Sequence, residues 1–235
     1  MTTSLTSVAM TISPASSAND ELVERVRDNL TRLQDRIRST GRDLATVRIV
    51  AVTKTFPAVY VRIAATLGLH TVGENYVDEL CAKRSAVADG SVRWHYLGAL
   101  QTNKIPRVVE CADVICGVSR MKEVEKIASS GHANVLYVQV DYTGRAGRNG
   151  AEPSDVAPIV EFARSRGLEV AGLMTVAPPD PEGARTAFRA TRRLVDDLAL
   201  VECSMGMSDD LEIACELGSS EVRIGRALFG ARVNT

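Results

Sequence analysis

The feature that most constrains this chain is a regular alternation of short β-rich runs with helical patterns. The β-rich runs number eight, and they begin at Arg48, His70, Val92, Asp113, Asn134, Leu168, Val201 and Glu221. Several runs are apolar almost throughout, which is typical of strands that a parallel sheet buries on both faces. No Gly-x-Gly-x-x-Gly motif follows the first run, which disfavours an open doubly wound sheet. The alternation therefore predicts an α/β fold, a single closed (β/α)8 barrel.

An apolar stripe at steps of four and three residues precedes the first strand. It is formed by Leu22, Val26, Leu30, Leu33 and Ile37. This spacing predicts an additional N-terminal helix. Residues 1–18 are rich in Ser, Thr and Ala and lack the basic start of a secretory signal, so we expect a disordered extension there. Residues 19–235 contain no internal linker and are expected to form one domain.

Composition excludes several classes of protein. Lys and Arg total 28 and Asp and Glu total 29, and this balance argues against a nucleic-acid binder. No apolar run approaches the roughly 18 residues that a membrane span needs. The five cysteines are odd in number and lack zinc-site spacing, so no metal site is predicted. We expect them to be unpaired, buried side chains of a cytoplasmic protein.

Chemistry in a (β/α)8 barrel is located at the carboxyl ends of the strands, and Lys54 ends the first strand. A lysine that forms a Schiff base must lose its proton, and desolvation or a nearby cation lowers its pKa. The alternative is a strand-end lysine that reaches into water. Asn75, after the second strand, either hydrogen-bonds a ligand or caps a helix. His95, in the third strand, is expected to be packed rather than catalytic.

The last two strands are each followed by a turn that can hold a phosphate. Ser204, Met207 and Ser208 lie at the first turn, and Arg223, Gly225 and Arg226 at the second. Backbone N–H groups at a helix start, together with a serine hydroxyl, form an anion cradle. Two capped turns without a ligand are the alternative. The basic loop 144–150 is expected to be a mobile surface loop.

Several segments together resemble the pyridoxal phosphate homeostasis proteins, the YggS/PROSC family. The segments are VAVTKT, GENYVDEL, WHYLGALQTNK, GLMTV, SMGMSDDLEIACELGSSEVRIG and ALFGAR, and the similarity runs from about residue 20 to residue 233. The resemblance implies the pyridoxal 5′-phosphate (PLP) barrel of fold type III. It also implies that this barrel is related to the N-terminal barrel of alanine racemase and is not followed by the second, C-terminal β-domain.

The resemblance also implies a role for each predicted site residue. It implies that PLP forms a Schiff base with Lys54 and lies beside Asn75, Met207 and Ser208. It implies that the ring nitrogen faces Arg223. It also implies that the phosphate is bound by Ser204, Gly225 and Arg226. Two positions depart from the family. Position 226 is usually a small hydroxyl residue there, and Arg145-Ala146-Gly147 replaces Lys-Ser-Gly.

The resemblance implies a protein that is not an enzyme and that buffers PLP or delivers it, with PLP-dependent apo-enzymes as candidate recipients. A monomer is the simplest expectation. The alternative is a weak amino-acid racemase of the alanine racemase type. Two-base racemisation needs a second proton donor, which a β-domain supplies in those enzymes, and only five residues follow Gly230. A Schiff-base aldolase is disfavoured because the middle strands show no carboxylate pair.

Overall fold

A computed structural model describes residues 14–145 and 147–231. The predicted (β/α)8 barrel is confirmed, because eight parallel strands close in chain order and the last strand pairs with the first. The strands are β1 (Arg48–Val52), β2 (Thr71–Glu74), β3 (Arg93–Tyr96), β4 (Val114–Val118), β5 (Val135–Val140), β6 (Val170–Thr175), β7 (Glu202–Ser204) and β8 (Glu221–Ile224). Every named strand in these ranges belongs to the barrel.

Helices cover the outside of the barrel. They are α1 (Pro14–Ser39), α2 (Val59–Thr66), α3 (Val77–Val87), α4 (Ile105–Cys111), α5 (Met121–Ala128), α6 (Pro153–Ser165), α7 (Pro181–Asp197), α8 (Leu211–Glu216) and α9 (Arg226–Phe229). Strands such as β4 are buried at every position, because one face fills the barrel while the other packs against helices. In the described chain, no helix has the length and apolar character needed to cross a bilayer.

Helix α1 is the predicted N-terminal helix, and its apolar stripe is buried against the barrel from Val26 to Ile37. The helix begins at Pro14, so the expected boundary after residue 18 falls inside it, whereas residues 1–13 lie outside the described residues. Arg36 donates two hydrogen bonds, of 2.6 and 2.8 Å, to the Glu212 carboxylate of α8. Helix α1 therefore stabilises the elements that follow the last two strands.

The expectation of five unpaired cysteines is wrong for one pair. Cys81 in α3 and Cys111 in α4 form a disulfide, with their Cα atoms 5.3 Å apart. The two helices are neighbours in the barrel, a proximity that cysteine count and spacing do not show. The other three, Cys116, Cys203 and Cys215, are free and buried as expected. The argument for a reducing compartment is correspondingly weaker.

Candidate functional site

A cavity of about 660 Å³ opens at the carboxyl ends of the strands. It is lined by seven of the eight predicted site residues, namely Lys54, Asn75, Met207, Ser208, Arg223, Gly225 and Arg226. These residues belong to β8 or to the segments that directly follow β1, β2, β7 and β8. Parallel strands bring residues distant in the chain to one edge, which is why the barrel gathers them.

Lys54 lies in a tight turn after β1. The Phe56 N–H donates a 2.9 Å hydrogen bond to the Thr53 carbonyl and closes the turn. Thr55 has a φ of +66°, in the left-handed region that β-branched residues rarely adopt. Lys54 is the one lysine among the described residues that line the cavity. The turn therefore places a primary amine at the mouth of the barrel.

A buried ionic cluster lies beneath this turn. Lys83 Nζ donates hydrogen bonds to the Thr53 carbonyl at 2.7 Å, to Glu74 Oε1 at 2.7 Å and to Glu79 Oε2 at 2.8 Å. Burial raises the pKa of Glu74, and its hydrogen bond with Lys83 opposes that effect. Partial burial would also raise the pKa of Glu79, but hydrogen bonds from Lys83 and Thr55 lower it. Lys83 is thus engaged inside the protein and does not line the cavity.

Asn75 is held at the cavity by a close approach of two loops. A Cβ atom added to Gly98, after β3, would lie 2.2 Å from the Asn75 carbonyl oxygen. Only a glycine fits this position without movement of the backbone. Tyr76, and not Asn75, is the N-cap of α3, so the helix-capping alternative for Asn75 is wrong.

Ser204 is the predicted site residue that the structure places elsewhere. It is fully buried beneath the cavity and does not line it. Its hydroxyl donates to Glu221 Oε1 at 2.8 Å and accepts from Arg223 at 3.0 Å. A hydroxyl has one proton, so these two bonds fix its orientation. In this geometry the Ser204 hydroxyl contacts Arg223 and Glu221, and its predicted contact with a phosphate stays a prediction.

Arg223 forms the floor of the cavity and is held from below. Its guanidinium also donates to the Ser204 carbonyl at 2.8 Å and to the Thr175 carbonyl at 2.7 Å. Burial lowers the pKa of Arg223, and the charge of nearby Glu221 opposes this effect. The side chain presents a fixed positive charge to whatever occupies the cavity.

Glu221 is the buried anion next to Ser204 and Arg223. Burial would raise its pKa, but neighbouring His95, the Ser204 hydroxyl and Arg48 together lower the pKa from 4.5 to about 2. Arg48 reaches the second carboxylate oxygen at 3.1 Å. His95 is buried as expected, with Nδ1 3.7 Å from Cys116 Sγ, and its Nε2 has no hydrogen-bond partner among the described residues.

The predicted phosphate end of the cavity is built from two loops. Asp210, and not the nearby Ser208, is the N-cap of α8, and its carboxylate accepts the Met207 N–H at 2.5 Å. Arg36 of α1 donates to the Ser208 carbonyl at 2.8 Å. Gly225 is the N-cap of α9, and the first N–H groups of a helix lack partners within it.

Three aromatic rings connect the lysine turn with the phosphate end. Phe56 follows Lys54, Tyr60 lies in α2 and Phe229 lies in α9. Their ring centroids are 4.8 Å apart between Phe56 and Tyr60, and 5.4 Å from each of these to Phe229. Such packing fixes the distance between the two ends of the site.

Sequence reasoning missed part of the lining, including Leu97, Gln139, Met174, Val176 and Asp209. The apolar members look like ordinary strand residues, and no local signal marks them. Gln139 exchanges hydrogen bonds with Asn149, at 2.8 Å from its amide to the Asn149 carbonyl and 2.7 Å in return. Asn149 thereby attaches the basic loop to β5. Arg145 and Arg148 of that loop are exposed and do not line the cavity.

Known proteins with similar sequences show which family this chain belongs to. Residues 23–233 match the family model described as alanine racemase, N-terminal domain. A pyridoxal phosphate homeostasis protein from Pseudomonas aeruginosa is 37% identical over 220 residues, which cover 90% of this chain and 96% of that protein. The chain belongs to the pyridoxal phosphate homeostasis protein family. The human member is 33% identical over 228 residues, covering 86% of this chain and 83% of its own length.

A solved structure of this family is also similar. PipY of Synechococcus elongatus, in the structure with PLP bound, has a TM-score of 0.76 and 29% sequence identity. The similarity covers 89% of this chain and all of the PipY chain. The resemblance drawn from the sequence motifs is therefore confirmed at the level of family and fold.

Proposed function

We propose that the protein holds PLP as a reversible Schiff base on Lys54 and buffers or delivers it. The observation that carries the proposal is the single cavity in which Lys54 meets six other residues predicted to contact PLP. Members of its family are named for PLP homeostasis, and the PipY neighbour contains PLP. The chain is accordingly a PLP-binding protein and not an enzyme.

The charge of the cavity fits the proposed ligand. Its described lining carries three cations, Lys54, Arg223 and Arg226, and one anion, Asp209. A phosphate monoester carries about −1.5 to −2 charges near neutral pH and suits this excess of positive charge. A Cβ atom on Gly225 would lie 3.3 Å from the Val52 carbonyl oxygen, so a glycine keeps that backbone close to the cavity.

Each lining residue has a task toward PLP in this proposal. Ser208 and the backbone of Gly225 and Arg226 would bind the phosphate, and the Arg226 guanidinium would replace the hydroxyl that the family usually has there. Arg223 would face the ring nitrogen, while Asn75 and Met207 would flank the ring. When bound, PLP supplies an aldehyde that condenses with a primary amine. Lys54 is the amine that the cavity offers.

The proposal extends to the setting in which PLP is handled. We propose that the protein acts as a monomer in the cytoplasm and passes PLP to PLP-dependent apo-enzymes. A mouth open to solvent suits both uptake and release. The Cys81–Cys111 disulfide is the one observation that speaks against a reducing compartment.

Borohydride reduction followed by intact mass spectrometry tests the covalent step. The wild-type protein is expected to gain one reduced PLP, which peptide mapping locates on Lys54. Lys54→Ala is expected to lose the adduct and keep the wild-type far-UV circular dichroism, because this residue contributes little to the core. Lys104→Ala, outside the cavity, is the matched control and should retain the adduct.

Two results would contradict the proposal. An adduct that persists in Lys54→Ala would place the Schiff base on another lysine. Rapid interconversion of D- and L-alanine by the PLP-loaded protein would favour the racemase alternative over a carrier.

A further inference from the structure

The turn that carries Lys54 is strained and needs support. Thr55, with its φ of +66°, occupies the third position of the turn closed between Thr53 and Phe56. A left-handed residue at this position is usually Gly or Asn, because a β-branched side chain crowds the backbone there. An isolated turn of this sequence would favour other conformations.

Two residues of α3 supply that support. The Thr55 N–H donates to Glu79 Oε2 at 2.8 Å, and Lys83 Nζ donates to the Thr53 carbonyl at 2.7 Å. The backbone is therefore bound immediately before and immediately after Lys54. Glu79 and Lys83 are themselves joined at 2.8 Å, so both attachments belong to one cluster.

Two of the three charged residues in this cluster are buried, whereas the Glu79 side chain is 31% exposed. The Lys83 side chain is 9% exposed and that of Glu74, at the end of β2, is fully buried. The three protons of the Lys83 ammonium match its three oxygen acceptors. The Thr53 hydroxyl donates to Glu74 Oε1 at 2.5 Å, which attaches the turn to the barrel as well as to α3.

We propose that Glu79 and Lys83 are positioning residues that hold the Thr53–Phe56 turn so that Lys54 meets the PLP aldehyde in a productive orientation. The inference rests on the proposed function. Neither residue lines the cavity, so both act through the backbone that flanks Lys54. Their effect on capture is expected to be large for residues outside the cavity, because small misplacement of a reacting group slows its reaction strongly.

The hold on the turn is measured first without PLP, by NMR hydrogen exchange of the Thr55 amide. Glu79→Ala removes the acceptor, whereas Glu79→Gln keeps an oxygen that can accept the same N–H. We expect exchange to be faster by roughly tenfold or more in Glu79→Ala and to stay close to wild type in Glu79→Gln. Equal exchange in all three proteins would overturn the inference.

Capture of PLP is measured next, as the rate of visible absorbance change after mixing. Glu79→Ala and Lys83→Met are expected to slow capture roughly tenfold or more and to weaken the induced circular dichroism of bound PLP, with recovery in Glu79→Gln. Val195→Ala, at a buried position of α7, serves as a control with reduced stability and an intact cluster. It should capture PLP at the wild-type rate.

The outcomes separate this inference from the proposed function. If the wild-type protein captures PLP and Glu79→Ala captures it at the same rate, only the positioning role is overturned. A wild-type protein that captures no PLP overturns the proposed function and the inference together. If Val195→Ala also captures PLP slowly, reduced stability would explain the slow capture of the cluster variants, and the inference would be contradicted.

Discussion

The buried carboxylate of Glu221 is expected to make stability depend on pH, and Glu221→Gln is expected to remove that dependence. Its pKa is lowered from 4.5 to about 2, by about 2.5. At about 1.4 kcal/mol for each pKa unit, the ionised form contributes about 3 kcal/mol to folding. Because the folded pKa is depressed, this contribution is present above the unfolded pKa and is lost as pH falls through the folded pKa.

The two proteins should therefore converge in stability as the solution becomes acidic. Glutamine resembles the protonated carboxyl, so the variant is expected to be about 3 kcal/mol less stable near neutral pH. By about pH 3 the wild type should have lost about 2 kcal/mol through this group, which leaves a difference of about 1 kcal/mol. Urea unfolding followed by the fluorescence of Trp94, the single tryptophan and 2% exposed, measures both curves.

The control for this experiment is a carboxylate on the surface. Glu216 forms an ion pair with Arg185 and its side chain is 43% exposed. Exposed pairs of this kind contribute little, so Glu216→Gln should follow the wild-type curve. A constant difference between Glu221→Gln and wild type from neutral to acidic pH would refute the account of Glu221.

Two further predictions concern a close contact and the disulfide. Gly98→Ala is expected to cost roughly 1–3 kcal/mol and to weaken PLP binding, because the new Cβ would lie 2.2 Å from the Asn75 carbonyl oxygen. Thermal unfolding measures the loss of stability and PLP titration measures the loss of affinity. Gly90→Ala is the control, because no atom lies within 4 Å of its new Cβ. Equal losses of stability and affinity in the two variants would contradict the argument. Titration of the denatured, unreduced protein should find three thiols and reduction should raise the count to five, whereas five thiols before reduction would exclude the Cys81–Cys111 bond.

The barrel is predictable from the sequence because its signals are local. Each buried strand is a short apolar run, and α1 shows its contact face as a stripe at helical spacing. The sequence predicts that the first run begins at Arg48, which is where β1 begins. Helix ends are less predictable, since competing polar residues offer caps. Asp210 rather than Ser208 caps α8, and Tyr76 rather than Asn75 caps α3.

The sequence predicts which residues lie near the candidate site, but it does not predict how deeply each side chain is buried in the barrel. The strand-end rule places Lys54, Asn75 and Gly225 at the cavity, and the structure agrees. Ser204 ends β7 but is buried, because the interior of the barrel is filled in layers and its hydroxyl bonds Glu221 on the neighbouring strand. Strand pairing of this kind depends on residues that are distant in the chain. A sequence motif therefore shows which strand end a side chain belongs to, but it does not show in which layer of the barrel interior that side chain lies.

The supporting contacts were not predictable for the same reason. A sequence does not show which lysines are enclosed, so it does not distinguish a lysine at the cavity from the buried Lys83. Its engagement with Glu79, four residues away on α3, fits a common helical ion pair. Its bond to the Thr53 carbonyl joins residues 30 positions apart in the chain and depends on how α3 packs against the barrel. Helical periodicity predicts the first contact and not the second.

Arg223 bears directly on the choice between a carrier and a racemase. Its guanidinium is bound to oxygens of two neighbouring strands and keeps its proton, so a pyridine nitrogen that faces it would stay unprotonated. An unprotonated ring withdraws electrons poorly, which disfavours removal of a proton from an attached amino acid. Racemisation also needs a second acid besides Lys54. Among the described lining residues, Asp209 is the one carboxylic acid, and it adjoins Ser208, which is assigned to the phosphate. The residues of the cavity are therefore better suited to holding PLP than to turning over a substrate.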